Sequence, residues 1–415
     1  IIYRCAYLLK EKQVPPWNIL VVTFTNKAAR ELQDRLEALL RFPVRSLWVG
    51  TFHRVCSRIL RYEAAHLPFG ANFSIYDEDA QKSLLKKIYK EEGFDRQKYP
   101  LPRVLYRIGR YKSNLLLPED LAKDSQDAGS GRGYHDEFES KILRIYTLYQ
   151  QSLLLNQALD FDDILLYTAR LLQNNETVRS KYQQLFRYVM IDEYQDTNQA
   201  QFEIVRQIAG EHQRVCVVGD DDQAIYSFRG ATIRNILEFE RDYQNVMSIR
   251  LEQNYRSTMS ILNLANAIIR NNRRRHRKDL WSDLGEGERP QLFAYNDENE
   301  EANRTAELVM KLHSEGVSFN QMAVLYRTNA QSRLFEYAFM QNKIPHSIVG
   351  SLHFYQRKEI KDLLGYLSSI SNTADSESLL RVINEPPRGI GQTTVNRLLT
   401  FAAKARIPLY QAVQN

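Results

Sequence analysis

The chain has 415 residues, of which 43% are hydrophobic and 26% charged, and its formal net charge is +6. The apolar content is sufficient for hydrophobic cores, the length predicts about three domain-sized units, and the positive charge fits a polyanionic partner without requiring one. No apolar stretch is long enough to span a membrane, and the three cysteines form neither a C-x-x-C motif nor a disulfide framework, so we expect a cytoplasmic protein.

Short apolar runs alternate with amphipathic helical segments along the chain, which predicts parallel βαβ layers. A helical block at 76–172 predicts an insertion into the first α/β domain. Within it, the glycine-rich stretch Ala128–Gly133 follows no strand, so we interpret it as a surface loop rather than as a phosphate-binding loop. The predicted strands are Ile19–Phe24, Leu47–Gly50, Tyr188–Ile191, Val215–Gly219, Gln291–Ala294, Met322–Tyr326 and Ser347–Val349.

The first two predicted strands end in polar residues that precede a helix. Thr25 and Asn26 follow the first strand, and Asn26 can cap the next helix; Thr51 and His53 follow the second strand. A helix N-terminus offers free N–H groups to a phosphate, but a capped turn without a ligand has the same pattern. His53 is equally compatible with a structural role.

The third predicted strand, Tyr188–Ile191, is followed directly by Asp192 and Glu193. Acidic residues at the carboxyl end of a buried strand lie where α/β folds bind ligands. One carboxylate there can hold Mg²⁺ through its waters, and its neighbour can orient a water for attack on a phosphate. For an isolated Asp-Glu pair, a solvated turn is the alternative.

The fourth predicted strand leads into a second polar cluster. Asp220 opens it, and the amide of Gln223 can both accept and donate hydrogen bonds, so it can sense a phosphate and report to a neighbouring segment. Tyr226, Phe228 and Arg229 then combine aromatic and cationic groups, as in a stacking platform for unpaired bases beside a phosphate clamp. Core positions are the alternative for the two aromatic residues, but their place after an acidic turn favours nucleic acid.

Several segments together resemble the motifs of a superfamily 1A DNA helicase of the UvrD/Rep/PcrA type. They are TFTNKAARE at 23–31, GTFHRVC at 50–56, DEYQD at 192–196, GDDDQAIYSFRGA at 219–231 and LEQNYRS at 251–257. The resemblance implies two RecA-like parallel-sheet α/β domains of the P-loop NTPase type, each with a helical insertion. It also implies an ATP-driven motor that moves 3′ to 5′ along single-stranded DNA and separates the duplex ahead.

By motif, the resemblance assigns Mg²⁺ to Asp192, activation of the attacking water to Glu193, and contact with the γ-phosphate of ATP to Gln223. It assigns to Arg256 a charge-stabilising contact with the γ-phosphate, for which a surface salt bridge is the alternative. Stacking on the adenine is assigned to Tyr255. The residues predicted to bind the nucleotide are Asp220, Tyr255 and Arg256.

The second half repeats a pattern of the first half. VVTFTNKAAR and AVLYRTNAQSR both predict a strand, then Thr-Asn, then a helix, and they pair Asn26 with Arg30 and Asn329 with Arg333. We infer two duplicated domains that grip DNA phosphates at equivalent turns, with chance similarity as the alternative. The charge run Asn271–Asp279 marks a candidate domain junction, and it is either a solvated helix end or a phosphate-contacting patch.

Near the end, EPPRGIGQTTVNRLL resembles a helix-hairpin-helix phosphate clip, although a plain glycine turn is nearly as compatible with it. Gly389 and Gly391 would let the backbone approach a duplex. The predicted DNA-binding residues are Phe24, Thr25, Asn26, Thr51, His53, Tyr226, Phe228, Arg229, Arg327, Thr328, Asn329, Arg333, Gly389 and Gly391.

The sequence departs from the family pattern at both ends. The 22 residues before Thr23 contain no G-x-x-x-x-G-K-[ST] loop, and no V-H-x-x-K-G-L-E-F-like motif follows later. We therefore expect a fragment without ATPase activity of its own. The predicted domains are a first RecA-like domain at 1–75 and 173–250, its insertion at 76–172, a second RecA-like domain at 251–384, and the start of a second insertion at 385–415.

The sequence thus predicts part of an ATP- and Mg²⁺-dependent 3′–5′ DNA helicase of repair or replication, which binds single-stranded DNA and its junction with duplex. Accessory repair or replication proteins are conceivable partners, and no pattern indicates an oligomeric state. One alternative is a helicase–nuclease subunit of the AddA or RecB kind, which the LEQNYRS run and GDDDQ disfavour. The other is a non-motor DNA-binding protein, which the intact Asp192, Glu193, Gln223 and Arg256 disfavour.

Overall fold

The structure is a computed structural model that describes residues 1–127, 137–349, 358–405 and 407–414, without the side chains of residues 124–127 and of Arg229. Its class is α/β with parallel sheets, as predicted. Within these ranges, no helix combines the length and the apolarity that crossing a membrane requires. The predicted loop at Ala128–Gly133 lies outside the described residues.

A four-stranded parallel sheet lies in the first part of the chain. The order across it is β2 (Trp48–Thr51), β1 (Ile19–Thr23), β5 (Tyr188–Ile191) and β6 (Val215–Val217), and each pair of neighbours is parallel. The strands predicted between residues 19 and 219 are confirmed, with the last one ending at Val217 instead of Gly219. In chain order the strands are β1 Ile19–Thr23, β2 Trp48–Thr51, β3 Ser74–Ile75, β4 Ala158–Leu159, β5 Tyr188–Ile191 and β6 Val215–Val217, where β3 and β4 pair with each other.

The central strand β1 is buried along its whole length. Ile19 and Val21 pack in one apolar cluster with Leu32 of the following helix, whereas Leu20 and Val22 belong to a second cluster. Successive side chains of a strand point to opposite faces, so a strand covered on both faces needs a continuous apolar run. This is why the run in β1 shows no polar alternation, and why polar residues begin only at its carboxyl end.

Helices surround this sheet and build the predicted helical block between β2 and β5. The block has a core of its own around Leu85, Tyr89, Tyr146 and Tyr149. The helices up to residue 242 are α1 Ile2–Lys10, α2 Asn26–Leu40, α3 Phe52–Tyr62, α4 Glu78–Glu92, α5 Leu101–Ser113, α6 Pro118–Asp127, α7 Glu137–Leu155, α8 Phe161–Asn174, α9 Glu176–Leu185, α10 Gln199–Ala209, α11 Arg234–Leu237 and α12 Phe239–Asp242.

A buried charged network joins α5, α7 and α8 inside the helical block. The ammonium group of Lys112 has no solvent exposure and lies 2.7 Å from Asp160 Oδ2 and 2.8 Å from Asp163 Oδ1. Tyr149 donates to Asp160 Oδ2 at 3.0 Å, and Gln150 Nε2 donates to Asp163 Oδ1 at 2.9 Å. One ammonium therefore serves two buried carboxylates, which ties the end of α5 to the start of α8.

Contacts divide the chain into two compact units. The first contains Ile1–Arg250, Asn272–Arg277 and Leu364–Asn415, and the second contains Leu251–Asn271 and Lys278–Leu363. The predicted domain boundaries follow sequence motifs rather than contacts, and they stay a prediction.

Within its described residues, the longer regular elements of the second unit are helices. A small core between two of them contains Ala306, Val309, Ala338 and Ile344. Its helices are α13 Met259–Ile269, α14 Glu298–Ser314, α15 Ser332–Gln341 and the first turns of α16 Lys358–Ser371.

The predicted strands of the second unit are wrong. Gln291–Ala294, Met322–Tyr326 and Ser347–Val349 are all described, and none of them forms a strand. Leu292, Leu325 and Val349 are 97%, 91% and 92% exposed. An apolar run becomes a strand only where a neighbour supplies ladder hydrogen bonds and another layer covers its face. Among the described residues, none of these runs has a ladder partner, and their side chains are covered only in part, as where Met322 packs against the small core of this unit.

The last helices belong to the first unit and contact its helical block. Tyr76 donates to Asp375 Oδ1 at 2.9 Å, and Asn372 Nδ2 donates to the Gln157 carbonyl at 3.0 Å. Asp375 also accepts from the Ser378 N–H and so caps the next helix. These helices are α17 Ser376–Val382, α18 Gln392–Ala405 and α19 Leu409–Gln414.

Candidate functional site

The acidic pair after β5 lies where the sequence predicts it, at the carboxyl end of a buried strand. The Asp192 N–H donates to the Val22 carbonyl at 2.9 Å, so the ladder with β1 extends to the first acidic residue. Burial, and after it the neighbouring Glu193, raises the pKa of the Asp192 carboxyl. Burial disfavours the ionised form of this carboxyl, and a nearby cation would stabilise it. The Asp192 carboxylate therefore fits Mg²⁺.

The backbone of Glu193 has an uncommon conformation. Its φ of 53° and ψ of 44° lie in the left-handed region, which residues with a Cβ rarely occupy. Such conformations persist only where the surrounding structure holds them, and they are frequent at functional sites. Asp196, three residues later, also lies near this carboxylate, and burial followed by Glu193 raises its pKa to about 6.

Hydrogen bonds join the end of β5 to the segment after β6. Gln195 Nε2 donates to Glu193 Oε2 at 2.8 Å, and Gln195 Oε1 accepts from the Asp220 N–H at 3.0 Å. Gln223 Nε2 in turn donates to Asp220 Oδ2 at 2.8 Å. The structure therefore brings together Glu193, Asp220 and Gln223, which the sequence predicts separately. Sequence reasoning missed Gln195, for which the only signal is its place inside DEYQD.

Three of the predicted DNA-binding residues form a row of rings, here termed the aromatic row. The ring centroids of Phe24 and Tyr226 are 4.9 Å apart, and those of Tyr226 and Phe228 are 5.7 Å apart with 28° between their planes. Phe228 is 51% exposed, so a core position is wrong for this residue. The next residue, Arg229, was predicted to bind DNA, but its side chain lies outside the described atoms.

The turn after the aromatic row rests against the helical block. Gly230 has a φ of +83°, and a Cβ at this position would lie 3.3 Å from Ser113 Oγ at the end of α5. Ser113 adjoins the buried Lys112. No sequence pattern predicts this contact, because it joins residues more than a hundred positions apart.

The first two strand-to-helix turns are capped by threonine. Thr25 Oγ1 accepts from the Ala28 N–H at 3.1 Å, so Thr25 caps α2 and the predicted cap Asn26 is wrong. Thr51 Oγ1 accepts from the Arg54 N–H at 3.3 Å. Each threonine thus already satisfies one N–H of its own helix.

His53 lies against the ring of Phe161, with centroids 5.1 Å apart. Burial lowers the pKa of His53 to about 4, which leaves the ring neutral near pH 7. A neutral, half-buried imidazole is a poor partner for a phosphate, so we favour the structural interpretation of His53.

Part of the charge run at Asn271–Asp279 is bound to the acidic turn of the first unit. Arg275 Nη2 lies 2.8 Å from Asp222 Oδ2 and both side chains are nearly buried, while the His276 N–H donates to Asp221 Oδ2. A solvated helix end is therefore wrong for Arg275, because its guanidinium forms a nearly buried ion pair with Asp222.

The acidic turn itself offers one possible cation site. In the part of the chain that the structure describes, Asp220, Asp221 and Asp222 are the one acidic group whose ligand atoms lie within 4.8 Å of one another. Asp221 and Asp222 are bound to the His276 N–H and to Arg275, and the assignment of Mg²⁺ to Asp192 stays a prediction.

LEQNYRS lies in the second unit as an exposed turn. Asn254 Oδ1 accepts from the Arg256 N–H at 2.9 Å, and the Asn254 N–H donates to the Trp281 carbonyl at 2.7 Å. The side chains of Tyr255 and Arg256 are exposed. The turn is thus fixed through its asparagine, with the two predicted nucleotide-binding side chains on the surface of this unit. Trp281 was missed, because it lies far along the chain in a segment without a motif.

The second Thr-Asn turn differs from the first. The Thr328 N–H donates to Gln331 Oε1 at 2.9 Å, and a single 3-10 turn, Asn329–Gln331, precedes α15. No strand precedes it among the described residues, so the predicted strand–turn–helix repeat is wrong here. Arg327, Asn329 and Arg333 are exposed.

The glycine turn near the C-terminus connects α17 to α18. Gly389 has a φ of +72°, and a Cβ at Gly389 or Gly391 would meet no described atom within 4 Å. The Arg388 guanidinium donates to the carbonyls of Val382 and Ile383, which fixes the turn from inside. An open backbone between two helices agrees both with a phosphate clip and with a plain turn, so the clip stays a prediction.

Comparison with known proteins accounts for nearly the whole chain. A family model described as the UvrD/REP helicase N-terminal domain matches residues 1–244. A second one, described as the UvrD-like helicase C-terminal domain, matches residues 249–415. The chain belongs to the UvrD-like helicase family.

Curated relatives agree with this assignment to the UvrD-like helicases. The chain is 43% identical over 411 residues to a protein named ATP-dependent DNA helicase PcrA from Staphylococcus epidermidis. It is equally similar to the protein of the same name from Staphylococcus aureus. Each alignment covers 99% of this chain and 55% of the relative, so the chain spans about half the length of the curated relatives it matches.

In this UvrD-like helicase chain, the predicted residues fall into clusters that are each internal to one unit. The first unit holds Asp192, Glu193, Asp220 and Gln223 in one cluster and Phe24, Tyr226 and Phe228 in another. The second unit holds Tyr255 and Arg256 in one turn and Arg327, Thr328 and Asn329 in another.

Proposed function

We propose that the complete protein to which this chain belongs is an ATP-dependent DNA helicase. It moves 3′ to 5′ along single-stranded DNA and separates the duplex at the junction, in repair or replication. Family membership and the name of the relatives, ATP-dependent DNA helicase PcrA, support this proposal. The cytoplasmic location stays a prediction from the cysteine pattern.

One observation carries the proposal. The segment from Asp220 to Gly230 is bonded at its start, through Gln195, to the carboxylate of Glu193, and it carries the exposed end of the aromatic row a few residues later. A motor needs hydrolysis and polymer binding to depend on each other, and one short segment that contacts both kinds of group provides a physical route for that dependence.

At the acidic cluster, Asp192 would hold Mg²⁺ and Glu193 would accept a proton from the attacking water. Gln223 would contact the γ-phosphate of ATP, and Asp220 would contribute to nucleotide binding. Mg²⁺, when bound, supplies neutralisation of phosphate charge. Tyr255 and Arg256 of the second unit would contribute adenine stacking and a charge-stabilising cation.

At the DNA side, the aromatic row offers π-faces on which successive bases stack, a contact that depends little on sequence. We propose single-stranded DNA as the polymer there. Phosphate contacts would come from the helix starts after Thr25, Thr51 and Thr328, and from the glycine turn at Gly389 and Gly391. The residues proposed to add further contacts are Asn26, Arg229, Arg327, Asn329 and Arg333.

Two other functions are less well supported. The match to helicases named PcrA over 99% of the chain disfavours a helicase–nuclease subunit of the AddA or RecB kind. The hydrogen bonds that join Glu193, Gln195 and Asp220 disfavour a non-motor DNA-binding protein, because DNA binding alone does not require them.

The test uses the complete protein. The wild type should hydrolyse ATP in the presence of single-stranded DNA and unwind a duplex with a 3′ tail but not one with a 5′ tail. Glu193→Gln should still bind Mg·ATP and DNA and should lose about 10²- to 10⁴-fold in turnover, because the amide keeps the shape and removes the base. The exposed Glu211 provides the matched control, and Glu211→Gln should leave turnover unchanged. Near-normal turnover in Glu193→Gln would refute the assigned role.

A further inference from the structure

Gln195 lies between the two acidic segments of the first unit and bonds to both. Its side chain is 1% exposed. Its Oε1 accepts from the Asp220 N–H at 3.0 Å, and its Nε2 donates to Glu193 Oε2 at 2.8 Å. A buried amide with both ends bonded is fixed in place, because rotating it would leave polar groups without partners.

The chemistry of the partners fixes which end of the amide faces Glu193. A backbone N–H can only donate, so the Asp220 N–H requires the carbonyl oxygen of Gln195. The amide nitrogen must then face Glu193, and it presents a donor to that carboxylate. The orientation therefore follows from the hydrogen bonds rather than from the assignment of atoms.

A second, independent feature shapes the place of this amide. A Cβ at Gly219 would lie 2.6 Å from Gln195 Oε1, closer than non-bonded atoms approach. Any other residue at this position would push the amide away from Asp220. The glycine before Asp220 thus leaves room for the glutamine, and the two residues form one fitted unit although they come from different strand ends.

The bonded set continues toward the aromatic row. Gln223 Nε2 donates to Asp220 Oδ2 at 2.8 Å, and Asp220 Oδ1 accepts from the Asp222 N–H at 3.0 Å. A shift of the Asp220 backbone therefore acts on Gln195 and, through it, on the carboxylate of Glu193. Tyr226 follows three residues after Gln223 and stacks on Phe228. A base that contacts these rings therefore contacts the same segment, Asp220 to Gly230, that is bonded to Gln195.

We propose that Gln195 is a positioning residue that orients the Glu193 carboxylate and makes this orientation depend on the segment that carries the aromatic row. The amide occupies Oε2, and we assign Oε1 to the attacking water. In that step the water oxygen bonds to the γ-phosphorus, its proton passes to Glu193, and the bond between the γ-phosphorus and ADP breaks. The proposal rests on the proposed function, since it concerns how hydrolysis is controlled. Gln195 itself touches no reacting atom.

The first test compares rates in the complete protein. Gln195→Leu has nearly the same volume and removes both hydrogen bonds. It should lower DNA-stimulated kcat about 10²-fold, the scale of a misplaced reacting group, with the KM for ATP and the Kd for single-stranded DNA changed less than about 3-fold. The exposed Gln184 gives the matched control, and Gln184→Leu should have no effect. A kcat of Gln195→Leu within twofold of the wild type would overturn the proposal.

The second test asks whether Gln195 acts through Glu193. Residues that act as one unit give strongly non-additive effects, so Gln195→Leu should cause no further loss of turnover in a Glu193→Gln background. A residue with a merely structural role would lower turnover by the same factor in both backgrounds. Equal factors would therefore overturn the positioning role.

A third measurement does not need turnover. The Asp220 N–H loses its acceptor in Gln195→Leu, so its hydrogen exchange should be faster than in the wild type, with the melting temperature as the control for folding. Gln195→Glu keeps an acceptor for Asp220 but loses the donor to Glu193. It should preserve the exchange protection and still lose turnover, which also covers the case that the leucine variant fails to fold. Unchanged exchange in folded Gln195→Leu would refute the link to Asp220.

The outcomes separate the two proposals. If the wild type does not hydrolyse ATP on DNA, the proposed function fails, and the exchange experiment still tests the hydrogen-bonded link. If the wild type and Glu193→Gln behave as expected while Gln195→Leu keeps its turnover, the positioning role alone fails.

Discussion

The two Thr-Asn turns of this chain share a sequence pattern and differ in structure. Thr25 follows a strand that is central in a four-stranded sheet and caps the 15-residue helix α2. Thr328 follows an exposed apolar run and opens a single 3-10 turn before the 10-residue helix α15. The residues at the turns are alike, so the difference comes from what surrounds them.

The comparison shows what an apolar run can and cannot specify. In the first turn, β2 and β5 supply ladder hydrogen bonds to β1, and clusters of apolar side chains cover both of its faces. In the second, Leu325 remains 91% exposed. An apolar run of this kind favours an extended, buried conformation. It forms a strand only where neighbouring strands supply hydrogen bonds to it.

The largest effect that separates the two turns should come from a charge placed three residues before each threonine. Val22→Asp puts a carboxylate into a buried cluster of the first unit and should destabilise the chain by about 4 kcal/mol or more, or prevent folding. Leu325→Asp, at the equivalent position of the second turn, should change stability by no more than about 0.5 kcal/mol. Urea denaturation followed by circular dichroism measures both. A Leu325→Asp variant as unstable as Val22→Asp would mean that the second run is covered after all.

The two units also differ in the burial of the charged groups compared here, and the pH dependence of stability should show this difference. Burial, and after it Asp160, raises the pKa of Asp163 to about 7, against about 3.9 in an unfolded chain. Between these values the native state binds more protons than the unfolded state, so this carboxyl makes stability fall as pH rises from about 4 to 7. Asp163→Asn should remove this contribution to the slope, whereas Asp162, whose pKa burial and then Asp160 raise in the same direction, keeps its own. In the second unit, the exposed pair Arg304–Glu307 provides the control, and the curve of Glu307→Gln is compared with that of Asp163→Asn.

The slope is measured as the difference between variant and wild type in the urea midpoint at pH 5, 6, 7 and 8. The difference is needed because other groups titrate as well. His53, whose pKa burial lowers to about 4, makes stability fall in the opposite direction, as pH drops below about 6.5. Parallel curves for Asp163→Asn and the wild type would contradict the buried-carboxyl explanation.

The same differences explain which features of the fold and the site could be predicted from the sequence. The apolar runs at Ile19–Thr23 and Tyr188–Ile191 were predictable because they are covered on both faces, and the acidic residues after β5 because strand ends concentrate ligand groups. Asn26 was predicted as a cap where Thr25 serves, since both residue types suit that position and only the geometry decides between them.

Residues whose role depends on a distant partner could not be predicted. Gln195 acquires its role from Asp220, Ser113 from Gly230, and Arg275 from Asp222, and in each case the partners come from separate elements. A linear pattern carries no signal for a contact of this kind. The predicted strands of the second unit failed for the converse reason, because the pattern was present and no ladder partner completes it within the described residues.

A third comparison concerns exposed phenylalanines of equal exposure. Phe228 of the first unit is 51% exposed and Phe293 of the second is 52% exposed, but only Phe228 belongs to the aromatic row. Phe228→Ala should weaken single-strand DNA binding of the complete protein by about 1–3 kcal/mol, the usual value of one base stacked on an aromatic ring. Phe293→Ala should leave the affinity unchanged. Fluorescence anisotropy with a labelled oligonucleotide measures both.

Phe228→Trp is the complementary change. The larger indole should restore or tighten binding, with little change in the salt dependence, because no phosphate contact is altered. A lower melting temperature with unchanged affinity per folded molecule in Phe228→Ala would show that the residue contributes packing instead of base stacking.

The smallest effect returns to the two threonines themselves. Thr25 Oγ1 accepts from the Ala28 N–H, and a lost N-cap costs about 1 kcal/mol, so Thr25→Ala should lower stability by that amount while Thr25→Ser retains it. Asn26→Ala should cost less, because Asn26 is the first helical residue and not the cap. Thr328→Ala should cost less than Thr25→Ala, since the Thr328 hydroxyl, which donates to Gln331 Oε1 at 3.3 Å, caps only a one-turn helix. Urea midpoints of the four variants give the order directly. Equal losses in Thr25→Ala and Thr328→Ala would mean that the turns are energetically equivalent, and the shared sequence pattern would then outweigh the difference in their surroundings.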